Sequence, residues 1–276
     1  MGCGSSKKSS PPNSADSGDA ANKKKDKTFL KNTLDEHSGS INAICLTNDR
    51  QSIITASEDH TARIWDVRTE ECSNLLEGHT SYITSCCVSD EHLFTGSADW
   101  SVRKWDLKTG ECLFEYNGHK STVNKVVYLQ GVLFSGSYDR TVRCWHAEEG
   151  DCLRTFEGHR RGIYPMLVVS NSKTKRTHVD LESNDDILIT GSADFTAKSW
   201  GMNSSECLLT YKGHKGAVLC LAVDSTNRTL FTGSTDTTIR IWDLMSGENT
   251  KVLEGHQGSV LNLQVNHNDI FLCVLA

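Results

Sequence analysis

Histidine, serine, aspartate and tryptophan recur together in this chain at fixed intervals. One set is His79, Ser97, Asp99 and Trp105; the next is His119, Ser137, Asp139 and Trp145. Two more follow: His159, Ser192, Asp194 and Trp200, then His214, Ser234, Asp236 and Trp242. An earlier set, His37, Ser57, Asp59 and Trp65, precedes them all. Serine, histidine and aspartate within reach of one another are the parts of a hydrolase triad. Repetition argues against that chemistry, because a triad is assembled once per domain and this set occurs five times. No Gly-x-Ser-x-Gly nucleophile elbow is present either. The residues are therefore read as structural, and no enzyme is expected.

The spacing points to the elements that must hold these groups. Each aspartate precedes its tryptophan by six residues, and the tryptophans are separated by steps of 40, 40, 55 and 42. The unit reads Gly-His, an apolar run, a second run ending in Gly-Ser-x-Asp, and a third run ending in Trp. The stretches "GHTSYITSCCVSDEHLFTGSADWSVRKWD" (78–106) and "GHKSTVNKVVYLQGVLFSGSYDRTVRCWH" (118–146) show it twice. Short, β-branched, partly alternating runs such as "SVRKW" and "TTIRIW" are strand-like. Gly-Ser-x-Asp and Lys-Thr-Gly read as turns between them. A fourth strand, such as "CLFEYN" or "CLLTYK", lies before the next Gly-His. Four-stranded units at a period of about forty residues predict the blades of a β-propeller. A single small sheet cannot bury both faces, so the blades must stack.

These Gly-His and Trp-Asp signatures resemble the WD40 repeat family over about residues 28–265. The expected fold is all-β, a WD40 propeller with five complete repeats and a partial sixth. The resemblance implies a buried network in each blade. The histidine bridges the turn aspartate and the second-strand serine, and the indole N–H meets that serine. The first unit departs from the pattern, with Glu36 in place of the glycine. Asp follows the tryptophan in three units, but His146 and Gly201 stand there in the others, which reads as a tolerant solvated turn.

Family members are mostly scaffolds that hold a partner on one face. Residues flanking the network on the Gly-His loops and Gly-Ser-x-Asp turns are Tyr82, Trp100, Lys120, Tyr138, Arg140, Arg160, Arg161, Phe195 and Lys215. Aromatics and arginines are what interface hot spots use. Cations on an acidic body suggest an acidic or phosphorylated partner; ordinary turn decoration is the alternative. The fourth unit carries an insertion, 171–184, in the loop on the opposite face, read as a solvated loop or a docking or modification site. Nucleic acid is disfavoured by the acidic body.

Net charge is −6, yet residues 1–31 hold seven lysines against three aspartates, +4, which leaves −10 for the rest. "MGCGSSKKSS" matches the N-myristoylation pattern, with Gly2 as acceptor and Cys3 as a palmitoylation candidate. One acyl chain anchors marginally; a second chain or nearby lysines make it stable. The chain therefore divides into a tail, 1–27, expected to be disordered, and a propeller, 28–276. The function expected is a cytoplasmic, non-enzymatic interaction scaffold tethered to the inner leaflet. The alternative is a substrate-recognition adaptor of a larger complex such as a ubiquitin ligase. Eleven cysteines include no C-x-x-C pair, so reduced, packed thiols are expected, with no metal or cofactor.

The last unit has Gly255, His256 and a first strand, "SVLNLQV", but "DIFLCVLA" lacks Gly-Ser-x-Asp and a tryptophan. Two readings compete: a truncated longer propeller, or a six-bladed ring closed by "TFLKNTLDEH" (28–37) as the outer strand.

Overall fold

The computed structural model describes residues 33–170 and 186–265. The chain divides into two compact units, 1–33 and 34–276. Among the described residues there are twenty strands and no helix, and every strand belongs to the second unit. They form five four-stranded antiparallel sheets, each contiguous in sequence.

The first blade is β1 (Ile41–Leu46), β2 (Ser52–Ser57), β3 (Ala62–Asp66) and β4 (Cys72–Leu76). The second is β5 (Ile83–Val88), β6 (His92–Ser97), β7 (Val102–Asp106) and β8 (Cys112–Tyr116). The third is β9 (Val123–Leu129), β10 (Val132–Ser137), β11 (Thr141–His146) and β12 (Cys152–Glu157). The fourth is β13 (Ile163–Val169), β14 (Ile187–Ser192), β15 (Thr196–Gly201) and β16 (Cys207–Lys212). The fifth is β17 (Val218–Val223), β18 (Thr229–Ser234), β19 (Ile239–Asp243) and β20 (Asn249–Leu253). Residues Ile44, Cys86, Lys125, Met166 and Leu221, from the first strands of all five blades, line one cavity of about 760 Å³ with Leu261. Those strands are therefore innermost, around a common axis.

Apolar clusters fill each gap between successive blades. Ile54, Ile64 and Leu76 of the first blade meet Ile83, Leu93 and Trp105 of the second. Phe94 and Tyr116 then meet Leu133 and Trp145, and Phe134 and Phe156 meet Ile163 and Trp200. Ile189 and Tyr211 meet Leu230 and Trp242. Phe231 and Ile239 are covered by Val260 and Leu263 from the chain after the fifth blade. The second to fifth sheets thus bury both faces only by having neighbours, as repeat architectures require. Polar pins cross the same gaps: the Tyr116 hydroxyl donates to the Ala147 carbonyl at 2.6 Å and Tyr211 to that of Leu244 at 2.7 Å.

The glycines of the Gly-Ser pairs do not sit in turns, as their punctuation suggests. Gly96, Gly136, Gly191 and Gly233 lie inside β6, β10, β14 and β18. A Cβ on Gly96 would stand 2.8 Å from a Val123 methyl, and one on Gly233 2.5 Å from Val260. The bare backbone makes room for the innermost strand of the next blade. The ring-closing strand expected at 28–37 lies outside the described residues up to 32, and 33–37 form no strand. Residues 254–265 also form no strand, and "DIFLCVLA", the insertion 171–184 and the tail lie outside the described residues.

Candidate functional site

Strand direction places the functional groups of each blade at one end. Ile83, at the start of β5, pairs with Ser97, at the end of β6. The loop carrying His79 and the turn carrying Asp99 therefore meet. His79 Nδ1 lies 2.7 Å from Asp99 Oδ2, and the same contact links His37 to Asp59, His119 to Asp139, His159 to Asp194 and His214 to Asp236. Each aspartate accepts three further bonds. For Asp99 these come from the Thr80 N–H, the Ser101 N–H and the Ser101 hydroxyl.

The second-strand serine has a different job from the one the family resemblance implies. His79 Nε2 lies 2.8 Å from the Thr95 hydroxyl, and the Trp105 indole N–H donates to that same oxygen at 2.8 Å. Thr55, Ser135, Thr190 and Thr232 fill this place in the other blades. Ser57, Ser97, Ser137, Ser192 and Ser234 instead accept from the N–H of their turn aspartates. Register explains the difference. Trp105 pairs with Leu93, and a strand rises about 3.3 Å per residue. Thr95 is then about 7 Å along the strand, within reach of the indole, whereas Ser97 is about 13 Å away. The signal was present in the sequence as a hydroxyl ten residues before each of the five network tryptophans.

The residue after the tryptophan also does more than fill a solvated turn. Asp66, Asp106 and Asp243 each accept two backbone N–H bonds from the following turn. His146 substitutes by accepting the Glu149 N–H on its ring nitrogen at 3.1 Å, and Gly201 has no side chain for the task.

The indole donates to the hydroxyl, and the ionised carboxylate only accepts, so Nδ1 carries the proton that faces it. Burial holds the His214 ring below its usual pKa, against the pull of Asp236. Burial opposes the Asp236 charge, but bonds from Thr238, the Lys215 N–H and His214 outweigh it and hold the carboxyl at about 2. Asp59, Asp99, Asp139 and Asp194 are held lower still, by bonds of the same kind working against burial. Thr95, Ser135, Thr190 and Thr232 are fully buried, so their hydroxyls are enclosed by the blade rather than open to solvent.

One position of each turn is held in the left-handed backbone region. Trp100 and Arg140 have φ of 77°, Phe195 and His60 73°, and Thr237 67°. That conformation is unfavourable for bulky L-residues. It is sustained here by the aspartate and serine bonds on either side, and it projects the side chain outward. Trp100 and Phe195 are 52% and 41% exposed, beside Tyr82 at 43% and Tyr138 at 54%. Lys120, Arg140, Arg160, Arg161 and Lys215 are exposed on the same loops and turns. Lys120, Arg140 and Arg143 line a cleft of about 340 Å³ beside the loop that leads from the third blade to the fourth, together with the carboxylates of Asp139 and Glu157. Arg143 was not among the residues singled out from the sequence. Arg63 pairs with Glu36 and Arg103 with Glu115. Among the described residues no ion pair holds Arg143, whose guanidinium lies 5.7 Å over the Trp145 ring. The insertion's flanks, Val169 and Ile187, are paired at the opposite end of the fourth blade. Gly2 and Cys3 lie outside the described residues. No group of three or more ligating side chains able to hold a metal occurs among the described residues.

The WD domain, G-beta repeat family matches residues 29–66, 70–106, 110–146, 150–201 and 205–243. These matches track the five blades. Human WD repeat-containing protein 86 is 59% identical over 191 residues, which is 69% of this chain and 51% of that protein. The match thus spans about half of that relative's length. Coatomer subunit beta'-2 of Arabidopsis thaliana is 39% identical over 61 residues, 21% of this chain and 7% of that protein. WD repeat-containing protein pop1 of Schizosaccharomyces pombe is 41% identical over 54 residues, 20% of this chain and 7% of that protein.

Proposed function

The chain belongs to the WD40 repeat family, and from that premise we propose that it is an interaction scaffold whose Gly-His face binds acidic or phosphorylated protein segments. Members of this family serve generally as protein-binding platforms rather than enzymes. The observation that carries the reading is a face with exposed aromatics, Trp100 and Phe195 among them at positive φ, and with cations that have no ion pair among the described residues. Trp100, Tyr138 and Phe195 supply rigid apolar area at small entropic cost, the property that makes such residues hot spots. Lys120, Arg140 and Arg143 supply donors suited to a carboxylate or phosphate.

Acidic peptides of one sequence, with and without a phosphoserine, test this by fluorescence anisotropy against the full chain. Arg140→Glu should weaken binding at least about tenfold, which is about 1.4 kcal/mol, with an unchanged melting temperature. Equal binding by wild type and Arg140→Glu would overturn the reading.

A second part of the proposal concerns location. Gly2 and Cys3 are read as acyl acceptors, supported by the lysines at 7, 8 and 23–25. Vesicle flotation of the protein expressed with and without Gly2→Ala decides it. Flotation unaffected by Gly2→Ala removes the anchor and leaves the binding face intact.

A further inference from the structure

Two cysteines from different blades meet beside the central cavity. Cys45 is on β1 and Cys86 on β5, and their sulfurs are 3.3 Å apart, with the Cys86 thiol donating to Cys45. Both belong to the apolar packing between the first and second blades. Successive side chains of a strand point to opposite faces. Cys87 accordingly turns away and packs against Phe94 and Leu133 in the next gap. No other pair of cysteine sulfurs is in hydrogen-bond contact among the described residues. The remaining buried thiols, Cys144 and Cys220, are pushed up to about 12 by burial.

We propose that Cys45 and Cys86 form a dithiol site which a peroxide converts into a disulfide joining the first blade to the second. The bond donated by Cys86 lowers the Cys45 pKa against burial, and the Lys125 ammonium adds to the effect. Cys45 is thus the more readily ionised sulfur of the pair, and thiolates are the nucleophiles. Cys86 and Lys125 both line the cavity of about 760 Å³, which brings a small oxidant to Cys86, with the Cys45 sulfur 3.3 Å beyond it.

In the first step the Cys45 thiolate attacks one peroxide oxygen. The O–O bond breaks, and Cys45 becomes a sulfenic acid with release of hydroxide. In the second step the Cys86 sulfur attacks the sulfenic sulfur. The S–O bond breaks, the disulfide forms, and the proton from Cys86 leaves with the departing hydroxide as water. Two thiols and one hydrogen peroxide yield one disulfide and two waters. The product pins the blade whose other face is least covered: Ile41, Ile44 and Leu46 on β1 are 45%, 67% and 45% exposed.

The full chain, treated with hydrogen peroxide at low concentration and then alkylated, is digested without reductant and mapped by mass spectrometry. The expected result is a monomer carrying a Cys45–Cys86 linked peptide, about 2 Da lighter than its reduced form. Its melting temperature should rise by on the order of 5 °C and return with reductant. Cys87→Ala should keep the link, and Cys45→Ala should lose it. Mapping of the unsubstituted chain is decisive even if a variant folds poorly. A Cys86–Cys87 link, sulfinic or sulfonic Cys45 without a link, or two unmodified thiols would each overturn the proposal.

Discussion

Asp139 collects four hydrogen bonds, from His119, the Lys120 N–H, the Thr141 N–H and the Thr141 hydroxyl. Asp139→Ala leaves the His119 Nδ1–H without its acceptor and should cost about 1–3 kcal/mol, read from chemical denaturation. The paired ionisations also set a pH dependence. Asp236 is held at about 2 against an ordinary 3.8. A carboxyl lowered on folding stabilises fully above its unfolded value, so this contribution disappears as pH falls from 3.8 to about 2. His214, held below its ordinary 6.5 by burial, likewise stabilises above 6.5 and loses that contribution as pH falls through its folded value. Thermal melts should therefore decline in two stages on acidification, and Asp236→Asn should make the lower one shallower without abolishing it, because the other four turn aspartates still titrate there. The aspartates and tryptophans were legible because their six-residue spacing repeats without exception. The hydroxyl partner was misplaced by two residues, because choosing Thr95 over Ser97 needs the register of β6 against β7, which spacing alone does not supply.

At the level of the element, the glycine of each Gly-Ser pair is a packing device between blades. Gly96 receives Val123 and Val126, and Gly136 receives Ile163. Ala56 holds the corresponding place in the first blade, beside Ile83, so a methyl group is accommodated where the neighbour stands back. At Gly96 a Cβ would already be 2.8 Å from Val123. Gly96→Val should cost about 1–3 kcal/mol or more by overpacking, measured as a lowered melting temperature. Gly247, whose added Cβ would meet nothing closer than 3.7 Å, lies at φ 74°, and substitution there strains the backbone instead. Strand number and order could be read from short β-branched runs and turn residues. The interblade role of the glycines could not, since a glycine before serine is also what a turn uses.

The molecule as a whole is a sequence of blades whose interfaces are not all alike. The residue four after each histidine is an apolar knob: Ile83, Val123, Ile163, Val218 and Val260 are at most 1% exposed. Ile41, the same position in the first blade, is 45% exposed. No described residue precedes that blade as a neighbour, and Trp65 joins none of the five interblade clusters. Val260 belongs to no strand, yet its N–H donates to the Ser234 carbonyl at 3.0 Å and its side chain is fully buried. Val260→Ala should thus cost about 1–3 kcal/mol, and Ile41→Ala less than about 1 kcal/mol, in parallel denaturation curves. Equal losses at the two positions would show that the first blade is covered in solution.

The amino-acid sequence by itself determined the family, the five blades, their all-β composition and the recurrence of His, Asp and Trp. These are properties of spacing, and spacing survives without coordinates. Tertiary structure alone decided which hydroxyl completes each network, which of the described cations lack an ion pair, and that Cys45 and Cys86 meet. Each of those depends on register and on the facing of side chains across a gap between sheets. Cys45 and Cys86 are 41 positions apart in the chain, and only the packing of one blade on the next brings them within bonding distance.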